Sequence, residues 1–284
     1  MTSMLKLLRN LLIVMCLAVL GQTSNVLYAQ VELPQTFEIG PHGGLSYYIG
    51  DINPAKQFNQ SKLQFGGVLR YNPNPRWTFR FDYTHATVAG SDTVVNWRPE
   101  RGLSFRSEIN DFSLIAEFNF FDYYTGNHLK SVSPYLFGGL SIFTFKTYAN
   151  YAGVPSDISL RDLQTEGVYT YGTHMFNHDF PFGLSIPFGV GLKVSLSQHV
   201  GLTAEWRMQK TFTDYLDDVS TVYPATHASV TVDGKTYDFT DPTGNFHANQ
   251  QRGDSASKDW FGIAGLSLTW RFNVPSRKTC NLSF

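Results

Sequence analysis

Three groups of residues in this chain have the types and spacing for chemistry. Cys280 stands in the closing stretch RFNVPSRKTCNLSF behind the basic pair Arg277 and Lys278, and the only other cysteine is Cys16. A thiol so placed is either free or bonded to a second molecule, another copy included. The segment TDYLDDVS gathers Asp214, Asp217 and Asp218. Carboxylates this dense could hold calcium, but the Gly turn and distal Glu of a calcium loop are missing. Their local chemistry is simpler: Asp and Ser side chains accept from nearby backbone N–H groups and order a turn or a helix start. His174 and His178 with Asp179 have a spacing that suits a metal on a helix, yet they lie in a Gly- and aromatic-rich stretch. No metal and no cofactor is therefore expected. Nor can a Ser–His–acid set be placed on one site, so the reading is non-enzymatic.

What positions these residues begins with the amino terminus. MTSMLKLLRN carries Lys6 and Arg9 without an acid, LLIVMCLAVLG is apolar but too short to span a bilayer, and Ala29 is a small residue at a cleavage point. Residues 1–29 read as a secretory signal peptide that takes Cys16 with it. Export leads to a compartment where disulfides persist, and Cys280 is then left without an internal partner.

Charged residues are 16% of the chain and aromatics 15%. Charge is thus well below the usual share of about 25%, and much apolar surface must face something other than water. The net charge of -1 offers nothing to nucleic acid. Beyond the amino terminus no apolar run is long enough for a membrane helix, so the apolar residues must be sought in strands. WTFRFDYT alternates Trp77, Phe79, Phe81 and Tyr83 with Thr78, Arg80, Asp82 and Thr84. DFSLIAEFNF, SIPFGVGLKVS, VGLTAEWRMQKTF and WFGIAGLSLTWRF repeat the pattern, with Ile115 as an exception. LQFGGVLRYN, the Gly-broken FEIGPHGGLSYYIG and SPYLFGGLSIFTF, apolar on both faces, complete eight segments. A period of two over about ten residues is the pattern of a membrane strand.

The links between segments alternate in length. NPNPR, DYYTGNHLKS and LSQH are short, whereas residues 50–62, 89–104, 146–184 and 213–259 are long. The expectation is an all-β, eight-stranded antiparallel transmembrane barrel over residues 30–272, with short periplasmic turns, long external loops and a periplasmic tail at 273–284. A barrel of eight strands is just wide enough for its side chains to fill. Arg70, Arg80, Asp82, Glu117, Lys193, Glu205, Arg207 and Arg271, all on the polar face, should then pair in a buried network. Arg252 or Asp254 of the RGD tripeptide should pair within its own loop. The rival architecture is a soluble β-sandwich or lipocalin-like binder, whose outer face would carry more charge.

YYIGD at 47–51, SPYLFGGLSIF at 133–143, LRDLQTEG at 160–167, SIPFGVGLK at 185–193, TFTDYLDDVSTVY at 211–223 and the RGD and KDW within 252–260 resemble the PorG family. These are outer-membrane barrels of the Bacteroidetes type IX secretion system. TDYLDDVS is the most specific of these matches. The resemblance implies an accessory role in protein secretion, tying a periplasmic ring of PorK-like lipoprotein and PorN-like protein to the outer membrane and its lipid. It also makes a cysteine of that ring a candidate partner for Cys280, with Arg277 and Lys278 seating the tail. A lipid-modifying barrel enzyme or a small ligand-binding barrel is the alternative.

Overall fold

The computed structural model describes residues 35–155, 157–166 and 182–273. Eight long strands pair antiparallel and close on themselves. They are β1 (Thr36–Ile49), β2 (Lys62–Asn72), β3 (Trp77–Ser91), β4 (Ser104–Asn119), β5 (Val132–Ala149), β6 (Phe182–Ser195), β7 (Val200–Thr211) and, last in the chain, β10 (Trp260–Asn273). Neighbours in sequence are neighbours in space, and β10 returns to β1 through pairs such as Ile39 with Trp270 and Leu45 with Ala264. Closure leaves no strand edge unpaired, the condition for backbone in a lipid core.

The pleat decides which residues face where. On β3, Trp77, Phe79 and Phe81 are exposed while Thr78, Arg80, Asp82 and Thr84 are buried. On β4 and β5, Leu114 and Leu140 are 66% and 70% exposed, far more than water would favour for a band of leucines. The same outer surface carries Ile39, Leu63, Ile142, Val190, Leu192, Leu266 and Leu268. Aromatics mark its short-turn margin, where Phe37 meets Tyr71, Trp77 meets Phe118 and His199 stacks on Trp270. This apolar, aromatic-edged exterior around a polar interior is the reverse of a soluble barrel. It fits a lipid surround.

The two ends are built differently. At the short-turn end, Asn74 Oδ1 accepts from the N–H groups of Arg76 and Trp77 at 2.9 Å each and sets the β2–β3 turn. The β4–β5 turn folds back into the mouth, where Tyr123 and Thr125 are buried and the Thr125 hydroxyl donates to Glu38 at 2.7 Å.

At the opposite end the long loops pack into a lid. They contain two single helical turns, α1 (Asp92–Val95) and α2 (Leu160–Leu163), and a hairpin of β8 (Ser229–Val232) with β9 (Lys235–Asp238). Asp233 and Gly234 turn the hairpin at φ 50° and 79°, the left-handed pair that a two-residue connection requires. Beneath the lid, Tyr48, Phe105, Phe143 and Phe261 point inward from the wall and pack against Ile52, Leu103, Leu160, Leu216, Val219 and Phe239 of the loops. Each such burial contributes about 1.5–3 kcal/mol, enough to make the loops a folded layer.

Candidate functional site

Two polar assemblies stand out, one inside the barrel and one in the lid. The inner one starts from register. Arg70 of β2 and Arg80 of β3 are directly opposite, two like charges that destabilise unless something separates them. Glu117 of β4 does so: its carboxylate lies 3.3 Å from Arg70 Nε, 3.1 Å from Arg80 Nε and 2.6 Å from Lys193 Nζ. A second carboxylate, Glu205, lies 2.6 Å from Arg80 Nη1 and 2.7 Å from Arg207 Nη2, and accepts from Tyr135 OH at 3.0 Å. Asp82 is 3.1 Å from Arg207 and accepts from the Thr84 hydroxyl at 2.7 Å. Aromatic faces cover what the acids leave, with Arg80 over Phe137 at 5.1 Å and Lys193 over Tyr135 at 4.8 Å.

Seven of the eight residues read from the strand pattern thus meet in one layer. Arg271 is the correction. It faces inward at the short-turn rim, donates to the Thr125 carbonyl, lies over the Tyr124 ring at 4.9 Å and makes no ion pair with the seven. Its strand has already reached the mouth by that residue, so what it meets is the infolded turn. Glu38 takes a place in the assembly instead, buried beside Thr125 and Thr269 and within electrostatic reach of Arg70 and Lys193. Four cations then face four carboxylates. His42, 3.5 Å from Asp82, and Asp111, held by Ser113, Ser141 and Gln209, extend the polar filling toward the lid. Continuing the alternation through FEIGPHGGLSYY would have put Glu38, His42 and Tyr48 on the inner face with the rest.

Around His42, Gln64, Arg80, Asp82 and Glu205 there is an interior space of about 10 Å³, room for one water. Arg80 Nη2 and Gln64 Oε1, buried without a protein partner, border it.

The second assembly holds the acidic segment. Asp217 Oδ2 accepts from Tyr48 OH at 2.5 Å, and its Oδ1 accepts from Val219 N–H at 3.0 Å. Asp214 accepts from the Ser220 hydroxyl at 2.6 Å. The side chain of Asp218, left-handed at φ 62°, accepts from Thr165, and its carbonyl accepts from Arg252 Nη1 at 2.6 Å. Arg252 also pairs with Glu166 at 3.1 Å, while Asp254 N–H donates to Asp51 at 2.7 Å. Arg101 completes the layer, bonded to Asp92 at 2.6 Å and donating to the carbonyls of Arg252 and Asp51. The RGD arginine therefore joins neighbouring loops, beyond its own. Sequence reading missed Tyr48, Asp51, Arg101, Glu166 and Asp259, whose partners come from distant stretches.

Burial dominates the electrostatics here. It pushes the Asp214 carboxyl up to about 7 and Asp51 up to about 6. It raises Asp217 and Asp259 well above the usual carboxylate range, with repulsion from neighbouring acids adding to the effect. Among the described residues no group of three or more His, Cys, Asp or Glu side chains is arranged to hold a metal ion. Within the acidic segment the bonds of Asp217 to Val219 N–H and of Asp214 to Ser220 order the turn locally, and those to Tyr48 and Thr165 tie it to distant parts of the chain. Cys280, Arg277, Lys278, His174, His178 and Asp179 lie outside the described residues.

An apolar belt, a closed eight-stranded sheet and a charge-filled interior define an outer-membrane-type β-barrel. The chain belongs to the family described as "Domain of unknown function (DUF6089)", whose model matches residues 9–228. No curated protein matches it in sequence. Among solved structures it is similar to the N-terminal β-barrel domain of Pseudomonas aeruginosa OprF, at 14% identity and TM-score 0.38 over 84% of this chain and 97% of that one. Neisserial surface protein A (NspA) gives 13% and 0.42 over 83% and 97%, and OprG from Pseudomonas aeruginosa gives 11% and 0.43 over 86% and 98%. At that level of likeness the fold is defined by the strand pairing described above.

Proposed function

We propose that this barrel is a non-enzymatic scaffold of the outer membrane that serves type IX protein secretion, tying a periplasmic ring of PorK-like lipoprotein and PorN-like protein to the membrane. The observation that carries the reading is the closed interior: an ion-paired core, an infolded turn at one mouth and a packed lid at the other. In this reading the molecule works through its ends and its wall. The PorG-like segments, TDYLDDVS above all, supply the secretion context. In this reading the short turns and both chain ends face the periplasm, and Cys280 bonds a cysteine of the ring while Arg277 and Lys278 rest on an acidic surface. Short turns offer little area for a strong non-covalent interface, which is what a covalent tie would remedy.

The test is purification of a tagged chain from outer membranes, with its companions identified, beside non-reducing gels of wild type and Cys280→Ser. Ring proteins should co-purify, and a heavier band containing one of them should vanish with reductant or with the substitution. Purification without any ring protein would remove the tether. A monomer-only gel, with normal secretion by Cys280→Ser, would remove the disulfide.

A further inference from the structure

Where the lid meets the wall, three residues from three parts of the chain converge. Tyr48 is near the end of β1, Asp259 immediately precedes β10, and Asp217 belongs to the lid. The Tyr48 hydroxyl oxygen is 2.5 Å from Asp217 Oδ2 and 2.8 Å from Asp259 Oδ1. A phenol has one hydrogen to donate. It can satisfy one of these oxygens as a donor. The other contact is a bond only when that carboxyl carries a hydrogen and donates it back to the phenol; otherwise lone pairs face each other. The remaining carboxyl oxygens are taken, Asp217 Oδ1 by Val219 N–H and Asp259 Oδ2 by Leu216 N–H at 2.9 Å.

Among the described residues, the cations near the pair are engaged elsewhere. The other acids facing the pair are Asp51, from the loop after β1, and Asp214, from the same segment as Asp217. Asp214 is itself buried, with its Oδ1 unpartnered. Of the nearby cations, Arg101 is bound to Asp92 and Arg252 to Glu166, while the half-buried Lys258 donates to the Ser255 carbonyl at 2.6 Å and acts on Asp214 from there. All three members of the triad are buried.

We infer that the lid is latched to the barrel by a proton held within the Tyr48–Asp217–Asp259 triad, and that losing this proton in alkaline medium frees residues 213–223 from the wall. The direction follows from linkage. Burial and mutual repulsion raise both carboxyls in the closed lid above their open-lid values. The latch is therefore fully engaged at low pH and fails as pH rises through that raised range. The barrel walls below, held by strand pairing, keep their closure.

The experiment uses the full chain in lipid vesicles. Protease accessibility of the lid is followed between about pH 6 and about pH 9, scaled to an unstructured peptide at each pH, alongside the infrared stretch of protonated carboxyls. Between the ordinary carboxylate range of the open lid and the raised range of the closed lid, wild type should show an open fraction that grows about tenfold per pH unit, the dependence of one released proton, and it should level off above that raised range. The protonated-carboxyl band should fade over the same range. Asp217→Asn, whose amide donates at every pH, should stay closed across it and show a weaker band. Lid accessibility that does not change with pH in wild type overturns the inference, as does an equal rise in Asp217→Asn. Should that variant fail to fold, wild type still decides: band and lid must change together, and an unlinked change refutes the latch.

Discussion

Glu117 is the group on which the barrel interior most depends, and removing its charge is a direct perturbation. Its carboxylate contacts Lys193, Arg80 and Arg70 at 2.6, 3.1 and 3.3 Å, all of them buried. At an effective dielectric of about 20 each contact represents roughly 5–6 kcal/mol of gross attraction. Desolvation of the four groups offsets most of it, but in Glu117→Gln that desolvation remains while the attraction goes. The net cost expected is about 3–5 kcal/mol. Glu117→Gln with Lys193→Met removes the closest cation too and should recover about 1–3 kcal/mol relative to the sum of the single changes. Urea unfolding in lipid vesicles, read by gel mobility before and after boiling, measures both. The reasoning is refuted if Glu117→Gln costs less than about 1 kcal/mol, or if the double variant is no better than additive.

Other perturbations follow from the same contacts. Arg101→Ala leaves Asp92 buried without its partner and strips two loop carbonyls of a donor. It should cost about 3–5 kcal/mol of lid stability, seen as rapid proteolysis of the long loops while the boiled and unboiled barrel still separate on a gel. Gly262→Ala would place a methyl 2.1 Å from the Tyr47 ring, which crosses β10 to bond Trp206 Nε1 and Met208 Sδ. A loss of about 1–3 kcal/mol is expected, and adding Tyr47→Ala should reverse part of it. Arg271→Met, outside the ion-paired layer, should cost clearly less than Arg80→Met when both are unfolded in urea.

Strand number and inner face were legible because lipid imposes one rule on each strand: alternate residues must be apolar, and the rest must fit a narrow core. WTFRFDYT and VGLTAEWRMQKTF obey it without interruption, and four of the seven residues of the central layer lie in them. FEIGPHGG obeys it only loosely, since Gly40, Pro41, Gly43 and Gly44 carry little sign of which face they occupy. Glu38 and His42 were hidden by that. The double apolar character of SPYLFGGLSIFTF has a structural reason: Phe143 and Phe145 face inward as the floor of the lid. The lid itself left no periodic trace. Its contacts join residues as far apart as Tyr48 and Asp217, separated by 169 positions, and its buried acids look in sequence like any solvated loop.

The barrel wall is not of even height. β5 has 18 residues and β4 has 16, against 12 in β7 and 11 in β2. At about 3.3 Å per residue β5 is roughly 60 Å long. Tilted by about 40° it rises some 45 Å, where an apolar band needs about 25 Å. Its outward residues change accordingly from Ile142 to Thr144 and Lys146, and those of β4 from Phe112 to Asn110, Glu108 and Arg106. A hydrogen-bonded post therefore stands clear of the lipid headgroups on one side, and the loops lean on it. In the proposed orientation this lifts the lid clear of the bilayer on the outer side, where the raised loops stand farther from the lipid than the rest of the rim.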